Sequence, residues 1–125
     1  MAQILVVEDD PQIRTMLKRM LEEAGYQVSL AGNGRQAIEI FLLQPADLVI
    51  TDILMPDKDG LETIREMREA HPKLKMIAIS GGGQLPAAIF LKMAQTAGAV
   101  TTLNKPFGKR ALLEAVQQAL GPTKP

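Results

Sequence analysis

Apolar residues along the chain follow two alternating patterns. Short runs rich in β-branched and aliphatic side chains lie at Ile4 to Val7, Val28 to Leu30, Leu48 to Ile50, Met76 to Ile79 and Ala99 to Leu103. Between them, apolar residues recur with helical spacing. This alternation predicts βαβ units around one parallel sheet. The runs are nearly continuous in hydrophobicity, as strands are when helices cover both faces of a sheet.

The first helical stretch is the clearest, with Ile13, Met16, Leu17, Met20, Leu21 and Ala24 at i, i+3, i+4, i+7, i+8 and i+11. Asp10 is placed to cap it, Pro11 suits its first position, and Gly25 stops it. A second helix is expected from about Gly34 to Leu43, with Ile38, Phe41 and Leu42 turned inward, before Pro45. The third opens at Asp59-Gly60-Leu61-Glu62, a capping-box spacing with Asp in place of Ser or Thr. It buries Leu61, Ile64 and Met67 and stops near His71 and Pro72. A fourth carries Ile89, Phe90, Met93, Ala94 and Ala97 before Gly98, and a fifth Leu112, Leu113, Val116, Ala119 and Leu120 before Gly121. Met16, Met20, Met67 and Met93 lie on these apolar stripes and read as core, whereas His71, at a helix end, reads as a surface residue.

With 125 residues there is room for one domain, expected over residues 1–121, with 122–125 as a flexible C-terminal tail. Hydrophobic residues make up 46% of the chain and charged residues 22%, which suits a globular body with one sizeable core. Fourteen Lys and Arg balance fourteen Asp and Glu, so no global field favours nucleic acid, an anionic membrane or an acidic substrate. Charge-driven function must be local. The absence of cysteine excludes disulfides, thiolate catalysis, cysteine-ligated zinc and iron–sulfur clusters. The longest apolar run, Ala87 to Leu91, is too short to span a bilayer, and the segment after Met1 is neither basic nor long and apolar; a cytoplasmic location is expected.

Ligands of open parallel α/β sheets bind beyond the carboxyl ends of the strands, so the residues that follow each apolar run are the informative ones. These are Glu8, Asp9 and Asp10 after the first run, Asp52 after the third, Ser80 after the fourth, and Asn104, Lys105 and Pro106 after the fifth. Carboxylates that converge there repel one another and call for a bound hard cation or for protonation. Magnesium suits them better, because it takes one or two carboxylates together with phosphate oxygens. Asp9 and Asp52 fit that pattern, with Glu8 reaching the ion directly or through water, Lys105 opposing a bound anion and Ser80 offering a hydroxyl. The set is complete for a phosphoryl site with a carboxylate nucleophile. Asp10, before Pro11, is read as a helix cap rather than a ligand.

The motifs Val6-Val7-Glu8-Asp9-Asp10, Thr51-Asp52-Ile53-Leu54-Met55-Pro56 followed by Gly60, Ile79-Ser80, and Gly98-Ala99 leading to Lys105-Pro106-Phe107 resemble the receiver domain of bacterial response regulators. The resemblance covers residues 3 to 120. It implies a three-layer doubly wound α/β sandwich of five parallel strands in the order 2-1-3-4-5 with five helices. It also implies that Asp52 is the phosphoacceptor, that Glu8, Asp9, Asp52 and the Leu54 carbonyl hold Mg2+, that Ser80 and Lys105 bind the phosphoryl oxygens, and that Lys105-Pro106 is cis and aims the lysine amine into the site. Such a domain takes its phosphoryl group from a sensor histidine kinase or phosphotransfer protein and passes the signal to a downstream protein target, without nucleic acid or membrane contacts of its own. It is a signalling switch first, although it catalyses its own phosphorylation and dephosphorylation, and a monomer or weak dimer is expected.

Two positions depart from the family pattern. Thr102 stands where relatives usually carry an aromatic residue that swings inward on phosphorylation, and the stretch from Ser80 to Lys105 is a few residues longer, with Gly81, Gly82 and Gly83 at its start. Readout is therefore expected through the glycine segment and the start of the fourth helix. Three other readings compete with this one. A haloacid dehalogenase-like Mg2+ phosphohydrolase wants Asp-x-Asp after the first strand, which Glu8-Asp9-Asp10 does not supply. A flavodoxin-like carrier would meet repulsion between its flavin phosphate and those three acids. A degenerate receiver acting only as a binding module is at odds with Asp9, Asp52, Ser80 and Lys105.

Overall fold

The computed structural model describes residues 2–52, 60–81 and 100–121. Strands β1 (Gln3–Val7), β2 (Gln27–Ala31), β3 (Leu48–Asp52), β4 (Lys75–Gly81) and β5 (Val100–Lys105) alternate with helices α1 (Pro11–Glu23), α2 (Gly34–Leu43), α3 (Gly60–Ala70) and α4 (Lys109–Leu120). Every ladder is parallel, and the sheet order is β2-β1-β3-β4-β5, as the resemblance implied. The described residues hold four helices, and α4 is the fifth of the expected set. The expected helix around Ile89 to Ala97, the Asp59 cap and the 122–125 tail lie outside the described residues.

Alternate residues of one strand face opposite layers. Ile4 and Val6 of β1 join Leu17 and Leu21 of α1 and Leu112 and Val116 of α4 on one face of the sheet. Leu5 and Val7 join Ala37 and Phe41 of α2 and Met67 of α3 on the other. Both sides of the sheet are thus covered, which explains why the apolar runs lack a polar alternation. No helix among the described residues is long and apolar enough to cross a membrane.

Local chemistry sets the first helix boundaries as expected. Asp10 adopts extended backbone angles, and its Oδ1 accepts from the amide of Gln12 at 2.9 Å. Pro11 occupies the first turn, and the chain leaves the helix through Gly25 at φ +97°, a left-handed conformation that costs glycine little. Asn33 caps α2 in the same way, accepting from the Gln36 amide at 2.9 Å.

Three expectations need correction. Leu42 does not turn inward: it is 63% exposed, because the buried stripe of α2 runs through Gly34, Ala37 and Phe41, with Ile38 at its margin and Leu42 beyond that margin. Met16 and Met20 are half-buried and flank the core rather than fill it, whereas Met67 is fully buried. Asp52, Ser80, Asn104 and Lys105 do not follow their strands but belong to them, since Asp52 pairs with Ile79, Ser80 with Asn104 and Gly81 with Lys105. Backbone pairing is indifferent to side-chain polarity, so a ladder continues past the last apolar residue.

Candidate functional site

The site forms where β1, β3 and β5 end. Val7 is the last residue of β1, and the Glu8 amide still donates to the Ala31 carbonyl of β2 at 3.0 Å, so Glu8 leaves the sheet with its direction fixed. Its side chain is wholly buried. Asp9, next in the turn, is exposed, and Asp52 closes β3 at 9% exposure. One carboxylate oxygen from each of Glu8, Asp9 and Asp52 lies within 4.8 Å of the others.

Lys105 reaches this cluster from the end of β5. Its Nζ donates to Asp52 Oδ2 at 3.1 Å and to Glu8 Oε1 at 3.3 Å. The following Lys105–Pro106 peptide bond is cis. Glu8 Oε1 also accepts from the Asp10 amide at 3.3 Å, whereas Glu8 Oε2 is buried and has no hydrogen-bond partner. One ammonium thus serves two of the three carboxylates, and the local charge stays negative.

Burial pushes the Glu8 carboxyl above its ordinary range, and the neighbouring Asp52 charge pushes the same way; the Lys105 charge and the Asp10 amide oppose them without prevailing. For Lys105, burial works against the charged form, but the hydrogen bond to Asp52 and the charges of Glu8 and Asp52 outweigh it and hold the amine above the usual lysine value. The two shifts differ in origin: burial leads for Glu8, whereas the two neighbouring carboxylates prevail for Lys105.

Of the residues the sequence singled out, Glu8, Asp9, Asp52 and Lys105 are brought together, and Asp10 faces its own helix as a cap. Ser80 is placed by its backbone near the end of β4, opposite Asn104. Leu54, Gly82, Gly83 and the Ser80 hydroxyl lie outside the described residues and side chains. Thr102 is half-buried in β5, paired with Ala78 of β4. Sequence reasoning passed over Arg14, whose Nη1 donates to the Glu8 carbonyl at 2.8 Å. An arginine one turn beyond a capped acidic run was the available signal, but its acceptor is a main-chain oxygen, which residue types do not reveal.

Comparison with known proteins bears on the family and the fold. The response regulator receiver domain family matches residues 4–117. The chain is 38% identical over 121 residues to the response regulator receiver protein CpdR of Brucella abortus, covering 96% of this chain and 98% of that protein. It is 36% identical over 118 residues to the C4-dicarboxylate transport transcriptional regulatory protein DctD of Pseudomonas aeruginosa, where the match covers 94% of this chain but 25% of the relative. Several curated relatives, DctD among them, are therefore matched over only a quarter to a half of their length. Among solved structures, the chemotaxis protein CheY4 of Vibrio cholerae superposes with a TM-score of 0.87 at 30% identity, covering 96% of this chain and 99% of that one.

Proposed function

Since the chain belongs to the response regulator receiver domain family, we propose that Asp52 accepts a phosphoryl group from a histidine kinase or phosphotransfer protein in a Mg2+-dependent reaction. The phosphorylated domain then offers an altered surface to a downstream protein. The observation that carries this reading is the placement of Lys105 Nζ between Asp52 Oδ2 at 3.1 Å and Glu8 Oε1 at 3.3 Å, beside three converging carboxylates.

The residues fit a hard cation. Glu8 Oε2 is buried without a partner, which is costly for a carboxylate oxygen, and the donor set is all oxygen. Glu8, Asp9 and Asp52 would hold Mg2+, with the Leu54 carbonyl added by the resemblance. When bound, the ion neutralises charge that builds on the phosphoryl oxygens.

The chain's own groups do the rest. An Asp52 carboxylate oxygen attacks the phosphorus, the bond from phosphorus to the donor's histidine nitrogen breaks, and that nitrogen keeps the electron pair, leaving an acyl phosphate on Asp52. The Lys105 amine, already charged and held at Asp52, exchanges a carboxylate oxygen for a phosphoryl oxygen without having to be recruited. Ser80 supplies a hydroxyl to the same group, and with Thr102 in place of a ring the signal leaves through the segment that follows Gly81.

Acetyl phosphate labelling read by intact mass tests the proposal. One phosphoryl group is expected on the wild type with Mg2+, and none without Mg2+ or on Asp52→Asn. Labelling of Asp52→Asn to the wild-type extent overturns the assignment.

A further inference from the structure

The Glu8–Asp9 peptide joins two of the three acids of the site, and its orientation decides where both side chains start. The amide side of Glu8 is anchored to β2 through Ala31. Its carbonyl lies beyond the last residue of β1, where no ladder partner follows. Arg14 fills that role from α1: its Nη1 donates to the Glu8 oxygen at 2.8 Å in a partly buried setting. The guanidinium is seated against Gly32, where an added Cβ would lie 3.0 Å from Arg14 Nη1 and 3.8 Å from its Cζ. Gly32 is itself held, its amide donating to Gln36 Oε1 at 2.8 Å. Glu8, Arg14, Gly32 and Gln36 thus tie the turn after β1 to the turn after β2.

We infer that Arg14 is a positioning residue for the acidic cluster. Seated on Gly32, it fixes the Glu8–Asp9 peptide so that both carboxylates converge with Asp52, and the missing side chain of Gly32 is what admits it. This rests on the reading of Glu8, Asp9 and Asp52 as a Mg2+ site. Residues that orient metal ligands from behind commonly change metal affinity by about 10- to 100-fold when removed. The sign separates this role from simple charge. Deleting a cation near the site strengthens Mg2+ binding through Coulomb attraction alone, whereas deleting a positioning group weakens it.

Mg2+ titrated calorimetrically into the full chain tests this. The expected result is a roughly tenfold loss of affinity in Arg14→Ala, partial recovery in Arg14→Lys, a smaller loss in Gly32→Ala, and no further loss when Gly32→Ala is added to Arg14→Ala. Phosphorylation by acetyl phosphate at saturating Mg2+ should stay near the wild-type rate, as a defect confined to metal binding requires. Should Arg14→Ala fold poorly, Gly32→Ala carries the test, because its Cβ meets only the ends of flexible side chains, Arg14 Nη1 at 3.0 Å and Gln36 Oε1 at 3.4 Å. Unchanged or tighter Mg2+ binding in both Arg14→Ala and Gly32→Ala overturns the proposal and leaves the site reading intact, provided that Asp9→Ala has lost the metal. If wild type binds no Mg2+, or Asp9→Ala binds it equally well, the site reading fails and takes the proposal with it.

Discussion

Lys105 and Asp52 meet across an intervening strand. Asp52 ends β3 and Lys105 ends β5, with β4 between them in the sheet, yet the amine lies 3.1 Å from Asp52 Oδ2. The reach of lysine's four-carbon stem makes this possible, and it places the cation over the end of the sheet while its backbone stays in the ladder, opposite Gly81.

Removal of that amine separates metal binding from signalling. Lys105→Ala is expected to bind Mg2+ at least as tightly as wild type, because a competing cation has gone, and to lose the conformational response to phosphorylation. Calorimetry gives the first quantity, and amide chemical shifts with and without beryllofluoride give the second. An unaltered beryllofluoride response would show that the amine does not read the phosphoryl group.

Asp9 and Asp10 are adjacent but have separate tasks. Asp10→Ala removes the acceptor for the Gln12 amide and should cost about 1 kcal/mol of stability while leaving Mg2+ affinity unchanged. Asp9→Ala should weaken Mg2+ binding strongly with little effect on metal-free stability. Urea melts without metal, set beside calorimetric titrations, distinguish the two; equal loss of affinity in both variants contradicts the division.

Glu8 makes metal-free stability depend on pH in a particular direction. Its carboxyl is raised in the folded chain, so its contribution favours folding below the ordinary glutamate value of 4.5 and is lost as pH rises through the folded value. Glu8→Gln should therefore be more stable than wild type at neutral pH without Mg2+, with the advantage vanishing below pH 4.5. Lys105 acts at the other end: its raised value supports folding below 10.5, and that support disappears as pH rises through the folded value. Thermal melts of wild type and Glu8→Gln across this range check both signs.

Phe41 is the largest fully buried side chain among the described residues, and its ring meets His71 edge to face at 5.1 Å and 87°. Phe41→Ala should cost about 3–5 kcal/mol. His71→Ala, an exposed partner, should cost no more than about 1.5 kcal/mol. Urea denaturation of the pair measures both.

What could be read from residue order alone follows a physical divide. The Asp10 cap, the Pro11 start and the Gly25 stop are decided within a few residues, and the acids and the lysine were legible because charged side chains next to apolar runs stand out. Leu42 was misplaced because one residue step turns a helix by about 100°, so a stripe centred on Ala37 and Phe41 differs from one centred on Phe41 and Leu42 only through the sheet it meets. Arg14 escaped because its partner is a carbonyl, and the strand ends ran beyond their apolar runs because ladders are built from backbone groups.

The parallel sheet also has a kinetic consequence. No strand here can pair with its neighbour through a tight turn, and even Gln3 and Gln27, at the start of the first ladder, must be brought together across α1. Each pairing closes a long loop before its contacts form, so folding is governed by chain search, and apolar strands such as Leu48 to Ile50 stay exposed to other molecules until it ends. A helix that begins without help from the sheet shortens that search, which makes the Asp10 cap a determinant of how quickly the chain escapes aggregation.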